Sequence, residues 1–133
     1  MKKEKEKEHR IPLPDRAVQI IAPLIEGARQ PGRRYVFAGG KPGKPLSNAA
    51  MSAVLKRMDI SPECATVHGF RSTFRDWAGE TTPHAREVVE AALSHKLPDK
   101  AEAAYARGDL FRKRVRLMND WERYCDKVPP RQL

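Results

Sequence analysis

Between Val67 and Ala78 the apolar residues Phe70, Phe74, Trp77 and Ala78 recur at intervals of three and four. Each residue of an α-helix advances about 100° around the axis, so these four gather on one side. His68, Arg71 and Arg75 follow the same intervals and gather on another. The spacing predicts a two-sided helix whose apolar side belongs in a core. Its other side carries three potential cations within one or two turns. Like charges so spaced mildly destabilise a helix, so the stripe either faces water or meets an anion.

The same period recurs elsewhere. From Asp15, residues Ala17, Ile20, Ile21, Leu24 and Ile25 fall at helical spacing, with a kink expected at Pro23. Ser47 is placed to cap a helix over Asn48 to Met58, and Thr66 to cap the helix described first. Thr82 and Pro83 stand where a cap and a first helical residue belong, for a helix running to about Leu93. "DKAEAAYARGD" reads as a short helix ended by Gly108. Asp109 can cap a last helix through Cys125, with Leu110, Leu117, Met118, Trp121 and Cys125 as its apolar stripe. Strand is expected only near the start. In "HRIPLP", Ile11 and Leu13 alternate between prolines, as in a short edge strand leaving a hairpin. "YVFAG" reads as a brief buried strand or extended turn, followed by the Gly/Pro loop "GGKPGKPLS". Residues 1–8 alternate in charge and are expected to be flexible. The expected fold is mainly α with a small β element near the N-terminus, in one domain over residues 1–133, since this length supports one core.

Lys and Arg together number 26 against 17 Asp and Glu, a formal net charge of +9. Such a surplus favours a polyanionic partner, nucleic acid first and an anionic membrane surface second. No apolar run approaches the roughly 20 residues of a membrane span, and no secretory signal opens the chain. Cys64 and Cys125 are far apart and form no Cys-x-x-Cys, so neither a disulfide framework nor a zinc site is expected. The chain reads as a cytoplasmic protein.

Downstream of the cationic stripe, "ALSHKLPDKAEAAYARGD" supplies His95 and, ten residues later, Tyr105. The order His68-Gly69-Phe70-Arg71, then Leu93-Ser94-His95, then Tyr105 resembles the signature of the tyrosine recombinases, the phage-integrase family. It looks most like the integrases of satellite phages and genomic islands. "EHRIPLPDRA" resembles the strand-to-helix passage that precedes these motifs, and the likeness runs from about His9 to Asp126. The resemblance implies the catalytic-domain fold of DNA breaking-rejoining enzymes in a bacterial or phage-encoded protein. It also implies recombination of double-stranded DNA without metal, ATP or another cofactor, no small-molecule substrate, and partner protomers assembled on the DNA.

The resemblance also implies roles. Tyr105 would attack the scissile phosphate and become joined to its 3′ side. Arg71 would grip the phosphoryl oxygens with a planar, permanently charged fork. His68 would help manage the tyrosine proton and hold the phosphate, and His95 would add a hydrogen bond to a phosphate oxygen. The family's catalytic lysine, general acid for the 5′ oxygen, would fall near Glu4, which leaves Lys3 and Lys5 as alternatives. A further family arginine and the DNA-clamping domain would lie upstream of residue 1, so the chain corresponds to the carboxy-terminal part of a catalytic domain. Arg75 is outside the family's catalytic pattern and reads as a DNA-backbone or intramolecular contact. Lys41, Lys44 and Arg107 are further candidate DNA contacts. His9 and His84 read as ordinary surface histidines, and Trp77, Trp121 and Tyr124 as packing residues. Two other readings stand beside recombination: an inactive remnant that binds DNA through its basic surface, and a basic helical module that docks a partner through its last helix.

Overall fold

The structure, a computed structural model, describes residues 9–95 and 110–127. Among these it is mainly helical, with α1 at Asp15–Ala28, α2 at Ala50–Arg57, α3 at Gly69–Thr81, α4 at Arg86–Ala92 and α5 at Phe111–Lys127. The described residues divide into two compact units. One comprises Asp15–Phe74; the other joins the segment ending at Pro14 to the chain from Arg75 onward.

In the Asp15–Phe74 unit, α1 runs through Pro23 and leaves none of its side chains buried. The apolar stripe predicted there is present in register but largely exposed at Ile20, Leu24 and Ile25. The "YVFAG" segment is not a buried strand either. Its Ala38 forms an isolated antiparallel bridge with Pro45, and Val36 and Phe37 are exposed. The loop between is a tight hairpin, closed by hydrogen bonds from Gly39 N to Lys44 O (2.8 Å) and from Leu46 N to Phe37 O (3.1 Å). A Cβ at Gly39 would run into the Pro45 carbonyl, so this close approach requires glycine. Ser47 does not cap α2 with its side chain. The helix begins at Ala50, and Ser47 contributes only its carbonyl, accepting from Ala50 N at 3.1 Å. At the other end, Asp59 (φ 57°) takes the left-handed position of a Schellman turn. Ile60 N donates to Leu55 O (3.0 Å) and Asp59 N to Lys56 O (3.1 Å).

The second unit is built on α4 and α5, which pack against each other. Val88, Val89, Leu93 and Leu117 form its apolar centre, with Trp77 and Ala78 of α3 also buried. Trp77, Trp121 and Tyr124 make a three-ring cluster with centroid separations of 4.9, 5.4 and 5.5 Å. The stripe predicted on the last helix thus packs partly within its own chain: Leu117 is 0% exposed, whereas Cys125 at its far end is exposed.

The expected edge strand at Ile11–Leu13 is absent; the segment is irregular. Its alternation is real but opposite in phase, with Pro12 and Pro14 buried and Ile11 and Leu13 outward. Proline has no N–H to give a ladder, so the segment is held otherwise. Arg114, fully buried on α5, donates to the Arg10 carbonyl, and the Arg10 guanidinium lies 4.7 Å from the Phe111 ring centroid. The α4 helix also starts later than predicted, at Arg86 after Ala85. Thr82 instead donates its hydroxyl to Ala78 O, finishing the end of α3, and accepts from His84 N at 3.3 Å.

Candidate functional site

At the start of α3, Thr66 acts as the predicted cap: its Oγ1 accepts from Gly69 N at 2.9 Å. A side-chain cap of this kind contributes about 1 kcal/mol. A Cβ at Gly69 would stand 2.9 Å from that same oxygen, so glycine leaves room for the cap. Arg71 N donates to His68 O (3.1 Å), which carries the turn back to His68. Both side chains are exposed. Helical geometry also separates the predicted apolar side from its outcome, because Phe74 is buried but Phe70 is 54% exposed.

The strongest side-chain constellation lies in the second unit and centres on Glu90. The end of α4 is again a Schellman turn with a non-glycine residue, Ser94 (φ 57°), in the left-handed position. His95 N donates to Glu90 O (2.9 Å) and Ser94 N to Ala91 O (3.1 Å), folding His95 back over the last helical turn. That fold brings His95 Nδ1 to 2.7 Å from Glu90 Oε2. The other carboxylate oxygen, Oε1, accepts from Arg75 Nε at 2.8 Å. Glu90's side chain is only 7% exposed, against 50% for Arg75 and 41% for His95. A buried carboxylate is costly unless both its charge and its lone pairs are met, and here each oxygen has a nitrogen partner, Arg75 Nε on Oε1 and His95 Nδ1 on Oε2. Burial alone would raise the Glu90 pKa, but hydrogen bonds and charge from Arg75 and His95 outweigh it and hold the carboxyl below its ordinary range. At neutral pH Glu90 is therefore ionised. Arg75 in turn has its pKa raised by the Glu90 hydrogen bond and charge.

Of the residues singled out in sequence, Arg75 and His95 are brought together through a group that the periodicity did not nominate. A signal was present, because Glu90 is an acid among Val88, Val89 and Leu93 on a buried helix face. Its partner Arg75 is fifteen residues away, beyond the reach of any helical rule. His84 also differs from its reading as a surface histidine: it is mostly buried, and its Nε2 lies 2.6 Å from Asp120 Oδ2 on α5. Lys41 and Lys44 are exposed on the Ala38–Pro45 hairpin. Tyr105, Lys3, Lys5 and Arg107 lie outside the described residues.

The chain is similar to two proteins of Escherichia coli (strain K12). It is 30% identical over 118 residues to prophage integrase IntA, covering 86% of this chain and 27% of that protein. It is 28% identical over 120 residues to prophage integrase IntZ, covering 90% of this chain and 29% of that protein. The chain thus spans somewhat over a quarter of the length of these relatives. No protein-family profile matches it, and no solved structure matches it.

Proposed function

The chain is related to the phage integrases, and from that premise we propose that it forms the carboxy-terminal part of a tyrosine-recombinase catalytic domain, acting on double-stranded DNA. The observation that carries this reading is the likeness to two prophage integrases along nearly the whole chain. The order His68-x-x-Arg71, His95, Tyr105 gives it chemical content. Cleaving a phosphodiester in this way needs a nucleophile, anion stabilisation and a proton for the leaving oxygen. The Tyr105 phenolic oxygen attacks the scissile phosphorus and loses its proton with the help of His68. The bond from phosphorus to the 5′ oxygen breaks, and that oxygen takes a proton from the amino-terminal lysine, Lys3 or Lys5. The products are a 3′-phosphotyrosyl bond and a 5′ hydroxyl. A 5′ hydroxyl from another strand reverses the step and rejoins the DNA, conserving the bond energy. Arg71 and His95 stabilise the charge gathering on the non-bridging oxygens.

The +9 charge supports DNA as the partner. Lys41 and Lys44 on their hairpin, Arg107 and the outer face of Arg75 are proposed to meet the DNA backbone. Other protomers bound on the same DNA complete the proposed assembly.

The test is a suicide substrate that carries the core site and traps the covalent adduct on the full-length protein. Mass spectrometry is expected to find the DNA on the peptide containing Tyr105. Tyr105→Phe is expected to abolish the adduct and spare DNA binding, since only the hydroxyl is lost. An adduct at Tyr124 would overturn the nucleophile assignment, and cleavage that required a divalent metal would overturn the mechanism. DNA binding with no cleavage by the full-length protein would favour an inactive DNA-binding module.

A further inference from the structure

Glu90 has no place in the signature that led to the functional reading, yet it is the group on which Arg75 and His95 converge. We propose that Glu90 is a positioning residue for His95: its carboxylate accepts a hydrogen bond from the ring's Nδ1–H and so turns Nε2 toward a phosphate oxygen of the bound DNA. This rests on the recombinase reading above. Three observations support it. The Schellman turn at Ser94 sets the His95 backbone directly against the carbonyl of Glu90, so the ring comes back to the carboxylate of its own helix. Glu90 is held from the other side by Arg75 Nε at 2.8 Å, which leaves its second oxygen aimed at Nδ1 at 2.7 Å. Finally, Glu90 is buried while His95 is 41% exposed, so a fixed anion orients a histidine that remains accessible to a ligand.

The chemical consequence concerns both ring nitrogens. An ionised carboxylate on one side and a phosphate oxygen on the other each call for a donor, which asks for an imidazolium bearing a proton on both. A carboxylate behind a functional histidine fixes the ring's orientation and proton placement in this way at many other sites. A purely architectural brace between α3 and α4 would require only the Arg75–Glu90 pair and would be indifferent to His95.

Glu90→Gln separates the two. The amide can still accept from Arg75 Nε, but toward His95 it offers an N–H. With Nδ1 then accepting, the ring can no longer donate from both nitrogens. In full-length protein on the suicide substrate, single-turnover cleavage by E90Q is expected to fall about 10–100-fold, the scale on which a carboxylate orienting a functional histidine acts, with DNA affinity unchanged. In a His95→Ala background the same change is expected to cost less than about twofold, because its target is gone. An equal loss in both backgrounds would mean a structural brace and overturn the proposal. Nitrogen-15 NMR of the His95 ring in the wild-type protein gives a readout independent of cleavage and of any variant. A proton on Nδ1 is expected; a neutral ring protonated on Nε2 alone, with Nδ1 bare, would overturn the proposal. If the full-length protein bound DNA but formed no adduct, the recombinase reading would fail, while the NMR result would still decide whether Glu90 sets the His95 proton.

Discussion

Leu117→Ala offers a quantitative test of how the second unit is held together. Leu117 is 0% exposed, in the middle of the α5 stripe that packs against α4. Truncation to alanine removes three carbons, about 2.4 kcal/mol of transfer free energy at about 0.8 kcal/mol each. A site this enclosed collapses incompletely, and the residual cavity adds about 1 kcal/mol or more. The expected loss is therefore about 3–4 kcal/mol. Both tryptophans of the chain, Trp77 and Trp121, belong to this unit, so a urea melt followed by intrinsic fluorescence reports on it directly. With a urea slope of about 1–3 kcal/mol per molar, the midpoint should fall by about 1–4 M. Cys125, exposed on the same stripe, provides the control: Cys125→Ala should shift stability by no more than about 0.5 kcal/mol. The wild-type midpoint should also be independent of protein concentration, as intramolecular packing requires. A Leu117→Ala loss below about 1 kcal/mol, or a midpoint rising with concentration, would refute this and favour docking of α5 on a neighbouring protomer.

Two further outcomes follow from charge. Lys41 and Lys44 are exposed on a tight hairpin, and replacing both with alanine should flatten the salt dependence of duplex binding by about 0.9 in log–log slope for each phosphate that is no longer neutralised; an unchanged slope in a fluorescence-anisotropy titration would remove them from the interface. Asp120 has its pKa lowered, chiefly by the His84 hydrogen bond, which outweighs the opposing effect of burial, with further lowering from the charges of Arg123 and His84. Its stabilising contribution is therefore fully present above the unfolded-state value of about 3.9 and is lost as pH falls through the lower folded-state value. Asp120→Asn should lower the urea midpoint at pH 6 and reduce its decline between pH 5 and 3. A parallel decline in both proteins would mean the His84–Asp120 pair contributes nothing.

Local rules read directly from the sequence explain a good part of this molecule. The intervals in "HGFRSTFRDWAGE" specify α3, and Thr66 caps it as its hydroxyl and position suggest, because capping involves atoms only three residues apart. The last helix and its stripe are legible for the same reason, and the expected likeness to phage integrases agrees with the similarity to two prophage integrases along most of the chain. Periodicity assigns residues to a common face, but it does not say whether another element covers that face. For this reason Phe70 was expected in the core beside Phe74 and is exposed, and the α1 stripe is unburied. At "HRIPLP" the period of two was correct, but burial of the prolines and the donation from Arg114, 104 residues away, decided the phase and left no strand. Glu90 is the clearest case. A helical carboxylate has no assigned partner in one dimension, and only the folded chain brings Arg75 Nε and His95 Nδ1 to its two oxygens, where the cost of burying the charge makes both hydrogen bonds necessary.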